Sequence, residues 1–165
     1  MYKVNDKIIY KRDVCIIKEI KEKLFNNKDY YCISPIDDFS LIINVPIDSP
    51  ILKNILTKEE ALDIIEKISK VEPIKCDDKS LENIYKELLN TEETLDLVSI
   101  IKTTYLRNKK RVESGKKIGD KDDNYFKKAE KYLYNLLSVS LNMSYEECKE
   151  FIINKLDTKE GKHDD

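Results

Sequence analysis

The feature that most constrains this chain is a change of apolar period after Pro46. Before it, residues 1–46 carry short alternating or β-branched apolar runs between charged turns. From Thr57 onward, the apolar residues recur at helical spacing. A period of two lines one face of a strand, and a period of about 3.6 lines one face of a helix. One chain that switches from the first to the second reads as α+β, a small antiparallel β module followed by a helical domain. Its 165 residues suffice for one large domain or two small ones.

In the β part, Val4, Ile8 and Tyr10 are spaced by polar residues, and Asn5-Asp6 makes a turn between two short strands or within one bent strand. Residues 14–25 and 30–34 are expected to form a hairpin across Asn26-Asn27-Lys28-Asp29. Residues 35–38 make the next turn, residues 39–45 the last strand, and Pro46 stops it or sits at an edge. About five short antiparallel strands in so few residues predict a small barrel or a strongly curved sheet. The module is expected over residues 1–50, with a linker at 51–56.

In the helical part, Thr57 and Glu60 have capping-box spacing. Ala61, Leu62, Ile64, Ile65, Ile68 and Val71 follow at helical spacing, and Pro73 ends the run. Ser80 is placed to cap a second helix, and Thr91 to start a third that buries Leu95, Val98, Ile101, Thr104 or Tyr105, and Leu106, ending near Gly115. A basic loop over 116–123 leads to a helix at about 122–141, and Ser144 with Glu147 opens a last one at about 145–156. The spacing thus predicts about five helices over 57–156, and a charged, disordered tail over 157–165.

Several chemistries lose their usual parts. No glycine-rich phosphate loop, zinc-protease helix motif or nucleophile elbow occurs. The single histidine, His163, lies in the tail, and the four cysteines are scattered without a paired spacing, so neither a metal site nor a cofactor is expected. Paired acids at Asp37-Asp38, Asp77-Asp78 and Asp122-Asp123 read as solvated turn residues, and the chain is not expected to be an enzyme. No apolar run is long enough to span a membrane, and the chain opens directly on a strand pattern, which predicts a cytoplasmic protein without a signal peptide; a monomer is expected, although nothing in the sequence fixes the oligomeric state.

The overall balance of 30 basic and 32 acidic side chains hides a segregation. Residues 57–101 hold six basic and twelve acidic side chains, and residues 102–131 hold eleven and five. A locally basic stretch in a near-neutral chain points to a local anionic partner or to a solvated helix face. Its members include Arg107, Lys109, Lys110, Arg111, Lys116, Lys117, Lys121, Lys127, Lys128 and Lys131.

The opening Tyr2-Lys3-Val4-Asn5-Asp6-Lys7-Ile8-Ile9-Tyr10 is similar to the F/Y-K-V-G-D-x-V-V-Y pattern that opens CarD-like bacterial transcription regulators. Val14-Cys15-Ile16-Ile17-Lys18-Glu19-Ile20 resembles the Val-Cys-x-Val-x-x-Ile segment of many members, and Leu41 to Pro46 resembles the last barrel strand, which ends Val-Pro. Tyr105 to Arg111 and Lys127 to Leu133 are similar to the family's penultimate helices, so the resemblance covers residues 1–156. It implies a Tudor-like N-terminal β-barrel that binds the RNA polymerase β subunit and an all-helical C-terminal domain that touches promoter DNA at the upstream edge of the opened bubble. Together these modulate open-complex stability without catalysing a reaction, and place the protein at the nucleoid through the polymerase. On this reading Lys23, Ile42, Ile43, Asn44, Val45 and Pro46 face the polymerase, and Arg107, Lys109, Lys110, Arg111, Lys116, Lys117 and Lys128 face DNA, with Arg107, Arg111 and Lys128 at basic family positions.

Several departures matter, among them a turn at Lys11-Arg12-Asp13 that is one residue short and lacks the family's glycine. Asn5 replaces a glycine, which an asparagine tolerates in a left-handed turn. Asn44 stands where relatives carry an arginine, which removes a charge-assisted bond. Asp78 falls near the family's wedging tryptophan, and this chain has no tryptophan. The alternative is therefore a polymerase-docking interaction module, a paralogue or adaptor without productive DNA wedging.

Overall fold

A computed structural model describes residues 1–163, with side chains through residue 154. The chain divides into two compact units, Met1–Ile55 and Leu56–Asp165.

The first unit holds five strands: β1 (Lys7–Tyr10), β2 (Asp13–Phe25), β3 (Lys28–Pro35), β4 (Ile43–Pro46) and β5 (Leu52–Asn54). They form one antiparallel sheet in the order β4-β3-β2-β1-β5. The sheet is open. β4 and β5 are its two edges, so the ladder does not close into the barrel expected from the strand count. The β2–β3 hairpin turns through Asn26 and Asn27, with φ 53° and 58°. Two successive left-handed residues match the twist of paired strands, and asparagine accepts that conformation. Asn5 takes φ 76°, and its N–H donates to the Ile17 carbonyl at 2.7 Å, so the asparagine holds the turn where a glycine was expected.

Two strand boundaries differ from the expected ones. Residues 39–42 are not in a strand: Phe39, Leu41 and Ile42 are exposed, and only Ile43–Pro46 pairs with β3. The expected linker at 51–56 contains β5, which pairs with β1 through Leu52↔Tyr10 and Asn54↔Ile8. Leu52 is buried, and the Tyr2 hydroxyl donates to Asn54 Oδ1 at 2.7 Å, tying the start of the chain to this edge. Ile8, Cys15, Ile17, Tyr31, Ile33, Val45 and Leu52 form the core of the unit.

The second unit holds α1 (Lys58–Ile68), α2 (Asp78–Leu89), α3 (Thr94–Glu113), α4 (Asp120–Ser140) and α5 (Tyr145–His163). Thr57 and Glu60 exchange both capping-box hydrogen bonds at 3.1 Å, an arrangement worth about 1 kcal/mol. α1 stops at Ile68, before Val71, and the Lys102 ammonium donates to the carbonyls of Ile68 and Val71 at 2.6 and 2.8 Å. A cation on the last carbonyls of a helix satisfies orphan acceptors and suits the dipole. Asp77, not Ser80, holds the N-cap position of α2, and α3 begins at Thr94 rather than Thr91. The Thr91 hydroxyl lies instead 2.7 Å from Asp96 Oδ2. α5 continues to His163 through a run of Lys, Asp and Glu with no proline, where an end near 156 and a disordered tail were expected. Residues 164–165 of that tail lie outside the described residues.

α3 and α4 pack extensively against each other, with α1 and α2 on α3 and α5 on α4. Ile65, Leu81, Tyr85, Leu97, Ile100, Leu133, Leu137 and Ile152 are at the centre. α3 turns Leu97, Ile100 and Thr104 inward and leaves Tyr105 and Leu106 exposed, contrary to the inward placement of Leu106.

Burial also sorts the thiols. Cys15, Cys32 and Cys148 are buried and Cys76 is exposed. Burial first, then the charges of Asp13 and Asp37, pushes the Cys15 thiol up to about 12, and burial raises Cys148 to about 11. A thiol reagent near neutral pH is therefore expected to modify Cys76 first, with the buried thiols reacting only on unfolding. Rapid modification of Cys15 or Cys148 in the folded protein overturns this. The same shifts set a pH dependence. An unfolded thiol ionises near 9.0 and these two ionise higher when folded, so above about 9 the unfolded state has lost a proton that the folded state keeps. Stability is expected to fall as pH rises from about 9 toward 11–12, with a shallower fall in Cys148→Ala.

Candidate functional site

Each unit carries one candidate surface. In the first unit it is the β4 edge. β4 pairs with β3 along one side, through Ile43↔Ile33, Asn44↔Cys32, Val45↔Tyr31 and Pro46↔Tyr30, and among the described residues no strand pairs with its other side. Alternation along the strand sends Val45 into the core, half-buries Ile43 against it and exposes Asn44. Ile42, at 61% exposure, and Leu41 continue the apolar surface just before the strand. The segment leading to them is held in place: the Leu41 N–H donates to the Asp38 carbonyl at 3.2 Å, and the Lys18 ammonium sits 3.9 Å from the centre of the Phe39 ring. Ile42, Ile43, Asn44 and Pro46 thus lie together on one edge. Val45 turns its side chain into the core of the unit and presents none at the edge. Lys23 lies elsewhere, on β2 with φ 47°, its N–H donating to Asp29 Oδ1 at 3.0 Å near the hairpin turn, and β3 separates that strand from β4.

In the second unit the basic residues divide into two groups. The first is engaged. Arg107 donates through Nε to Asp122 Oδ2 at 2.9 Å and through a terminal nitrogen to Asp78 Oδ1 at 2.8 Å. Asp122 also accepts from the buried Tyr85 hydroxyl at 3.0 Å, so this guanidinium is tied to a network at the end of the core. Burial, and then the bond to Asp122, holds the Tyr85 phenol well above its ordinary range. Lys121 pairs with Glu82 and Lys127 with Asp123, both at 2.9 Å. The Lys121 ammonium beside Glu82 holds that carboxyl below its usual range. Arg111 donates through Nε to the Lys117 carbonyl at 2.9 Å.

The second group is Lys109, Lys110, Lys116, Lys117 and Lys128, all exposed and without an ion-pair partner among the described residues. Lys116 and Lys117 sit on a loop fixed from both sides. Gly115 takes φ 79° to end α3, the Lys116 N–H returns to the Arg111 carbonyl at 2.8 Å, and the Gly119 N–H donates to Asn108 Oδ1 at 2.9 Å. A left-handed glycine after the last helical turn is a common way to satisfy its carbonyls.

Between α3 and the start of α4 lies an open groove of about 530 Å³, walled by Tyr105 and Val112 of α3, Ile118 of the loop and Phe126 of α4. Tyr105, Val112 and Ile118 are each more than half exposed. Sequence periodicity missed this groove, although Tyr105 and Val112 stand seven residues apart, the spacing that puts two side chains on one helix face. No group of His, Cys, Asp or Glu among the described residues is arranged to hold a metal ion, and no described helix is long and apolar enough to cross a membrane.

No protein-family model matches the chain, and no curated protein matches it either.

Proposed function

We propose that this chain is a CarD-like transcription regulator whose Tudor-like first unit docks on the RNA polymerase β subunit through β4, and whose helical unit contacts promoter DNA. The observation that carries this reading is the β4 edge, a strand with one unpaired side and an exposed apolar approach at Leu41 and Ile42. Such an edge takes up a partner strand by main-chain hydrogen bonds, with neighbouring side chains giving specificity. A five-stranded antiparallel sheet with register shifts along the β2–β3 pair supports the Tudor-like reading of this unit. On the helical unit, Lys109, Lys110, Lys116, Lys117 and Lys128 are available to DNA phosphates, and Arg107 serves the fold instead. Lysines on phosphates supply sequence-independent, salt-dependent affinity. No bond is made or broken. A factor that holds the open promoter complex more tightly than the closed one shifts that equilibrium by its differential affinity. On this reading the protein is cytoplasmic and reaches the nucleoid through the polymerase.

A second reading keeps the docking and drops the wedge. Asp78, near the family's tryptophan position, is bonded to Arg107 at 2.8 Å, so an ion pair stands where an apolar ring is needed to open a base step. One experiment separates the two: open-complex lifetime on a ribosomal RNA-type promoter with the cognate polymerase, measured beside capture of the β subunit. A longer lifetime with capture is expected. Capture with an unchanged lifetime favours the docking module, and no capture overturns both.

A further inference from the structure

We propose that the groove between α3 and the start of α4 receives unpaired nucleotides, the form of DNA that a melted segment exposes. The inference rests on the nucleic-acid reading above and specifies which form of nucleic acid the helical unit grips. Two observations meet here. The walls are apolar and partly aromatic, with Tyr105 on one side and Phe126 on the other, and their exposure gives the groove surface to cover. The rim is cationic: Lys109 lines the groove, and Lys116 and Lys117 immediately precede Ile118, all three without an ion-pair partner among the described residues.

The occupant must therefore be anionic outside and apolar within. A duplex meets only half of that demand. Its phosphates suit the lysines, but its base faces are stacked on one another and have nothing to offer the groove. An unpaired strand meets both halves, because each base presents a π-face and each linkage a phosphate. Base–aromatic stacking beside a cationic track is the general means of gripping single strands, and it tolerates any sequence. Glu113 also lines the groove, and so does Asp123, which Lys127 neutralises at 2.9 Å. Carboxylates in the lining repel phosphate, so the backbone follows the lysines and the bases take the apolar walls. The hydrogen bonds from Arg111 to the Lys117 carbonyl and from Gly119 to Asn108 fix the loop that carries both Ile118 and the rim lysines, so the groove is built before a ligand arrives.

The test is fluorescence anisotropy on the full chain with labelled oligothymidylate and with a blunt duplex of equal length, at matched low salt. The expected result is tighter binding of the single strand by about tenfold, the size of one base–aromatic stack. Tyr105→Ala should remove most of that advantage and leave duplex binding and the helical circular dichroism unchanged, because Tyr105 is 55% exposed. Lys109→Gln should weaken both ligands. Equal affinities that ignore Tyr105→Ala overturn the groove assignment and leave the DNA reading standing. Absence of binding to either ligand overturns both. Saturable binding of an acidic amphipathic peptide in place of oligothymidylate, or self-association abolished by Tyr105→Ala, assigns the groove to a protein and overturns the inference.

Discussion

Asp122→Ala is expected to destabilise the helical unit by about 3 kcal/mol, the largest effect of any single side chain outside the apolar core. The reason is the number of groups that depend on one carboxylate. Its Oδ1 accepts from Tyr85 at 3.0 Å and its Oδ2 from Arg107 at 2.9 Å. Tyr85 is fully buried, so removing its acceptor strands a hydroxyl where water cannot replace the bond, and a stranded buried donor costs about 1–3 kcal/mol. Arg107 loses the more buried of its two carboxylates and keeps only Asp78, whose side chain is 80% exposed. Two comparisons decide whether the network or mere side-chain loss is at work. Tyr85→Phe removes one donor and leaves Asp122 on Arg107, so about 1 kcal/mol is expected. Asp78→Ala removes an exposed partner, and about 0.5 kcal/mol or less is expected. Urea unfolding followed by helical circular dichroism reports the second unit, since every helix among the described residues lies there. Equal losses for Asp122→Ala and Asp78→Ala would show that the network does not carry the stability assigned to it.

The same network marks the limit of what the amino-acid order reveals. Local chemistry was legible: Asn26-Asn27 placed the hairpin turn, and Thr57 with Glu60 placed the start of α1, because each signal is complete within four residues. The apolar period after Thr57 likewise told helix from strand. Three things were not legible, each for a physical reason. The run from Phe39 to Ile42 is apolar but exposed, so a strand predicted by apolarity alone came out too long. β5 spans three residues with one buried side chain, too short for alternation to register. Arg107 looked like part of a free basic surface because a charge count does not show partners that lie 15 and 29 residues away in sequence. The groove was hidden by a rotation of the same kind. The inward stripe of α3 runs through Leu97, Ile100 and Thr104, which turns Tyr105 and Val112 outward. An apolar residue at helical spacing does not say which neighbour, if any, will cover it.

Ile42→Glu is expected to weaken capture of the polymerase β subunit by tenfold or more while leaving the fold intact. Ile42 is 61% exposed, so the free protein gives up little on substitution. In a strand-addition contact the same side chain sits beside the incoming backbone, and a glutamate there must be desolvated without a partner. That penalty exceeds the roughly 1.4 kcal/mol that a tenfold loss requires. The choice of residue matters because the neighbouring alternative is ambiguous. Val45 is 4% exposed within the core of the β unit, so Val45→Glu is expected to unfold that unit and abolish capture whether or not β4 is the contact. Asn44→Arg supplies the opposite arm. Asn44 is exposed on the same edge, and a guanidinium there adds a charge-assisted donor toward the partner, so tighter capture by several-fold is expected. A loss with Ile42→Glu and a gain with Asn44→Arg, both at unchanged circular dichroism, require the partner to lie along β4. Capture indifferent to both substitutions would move docking off this edge.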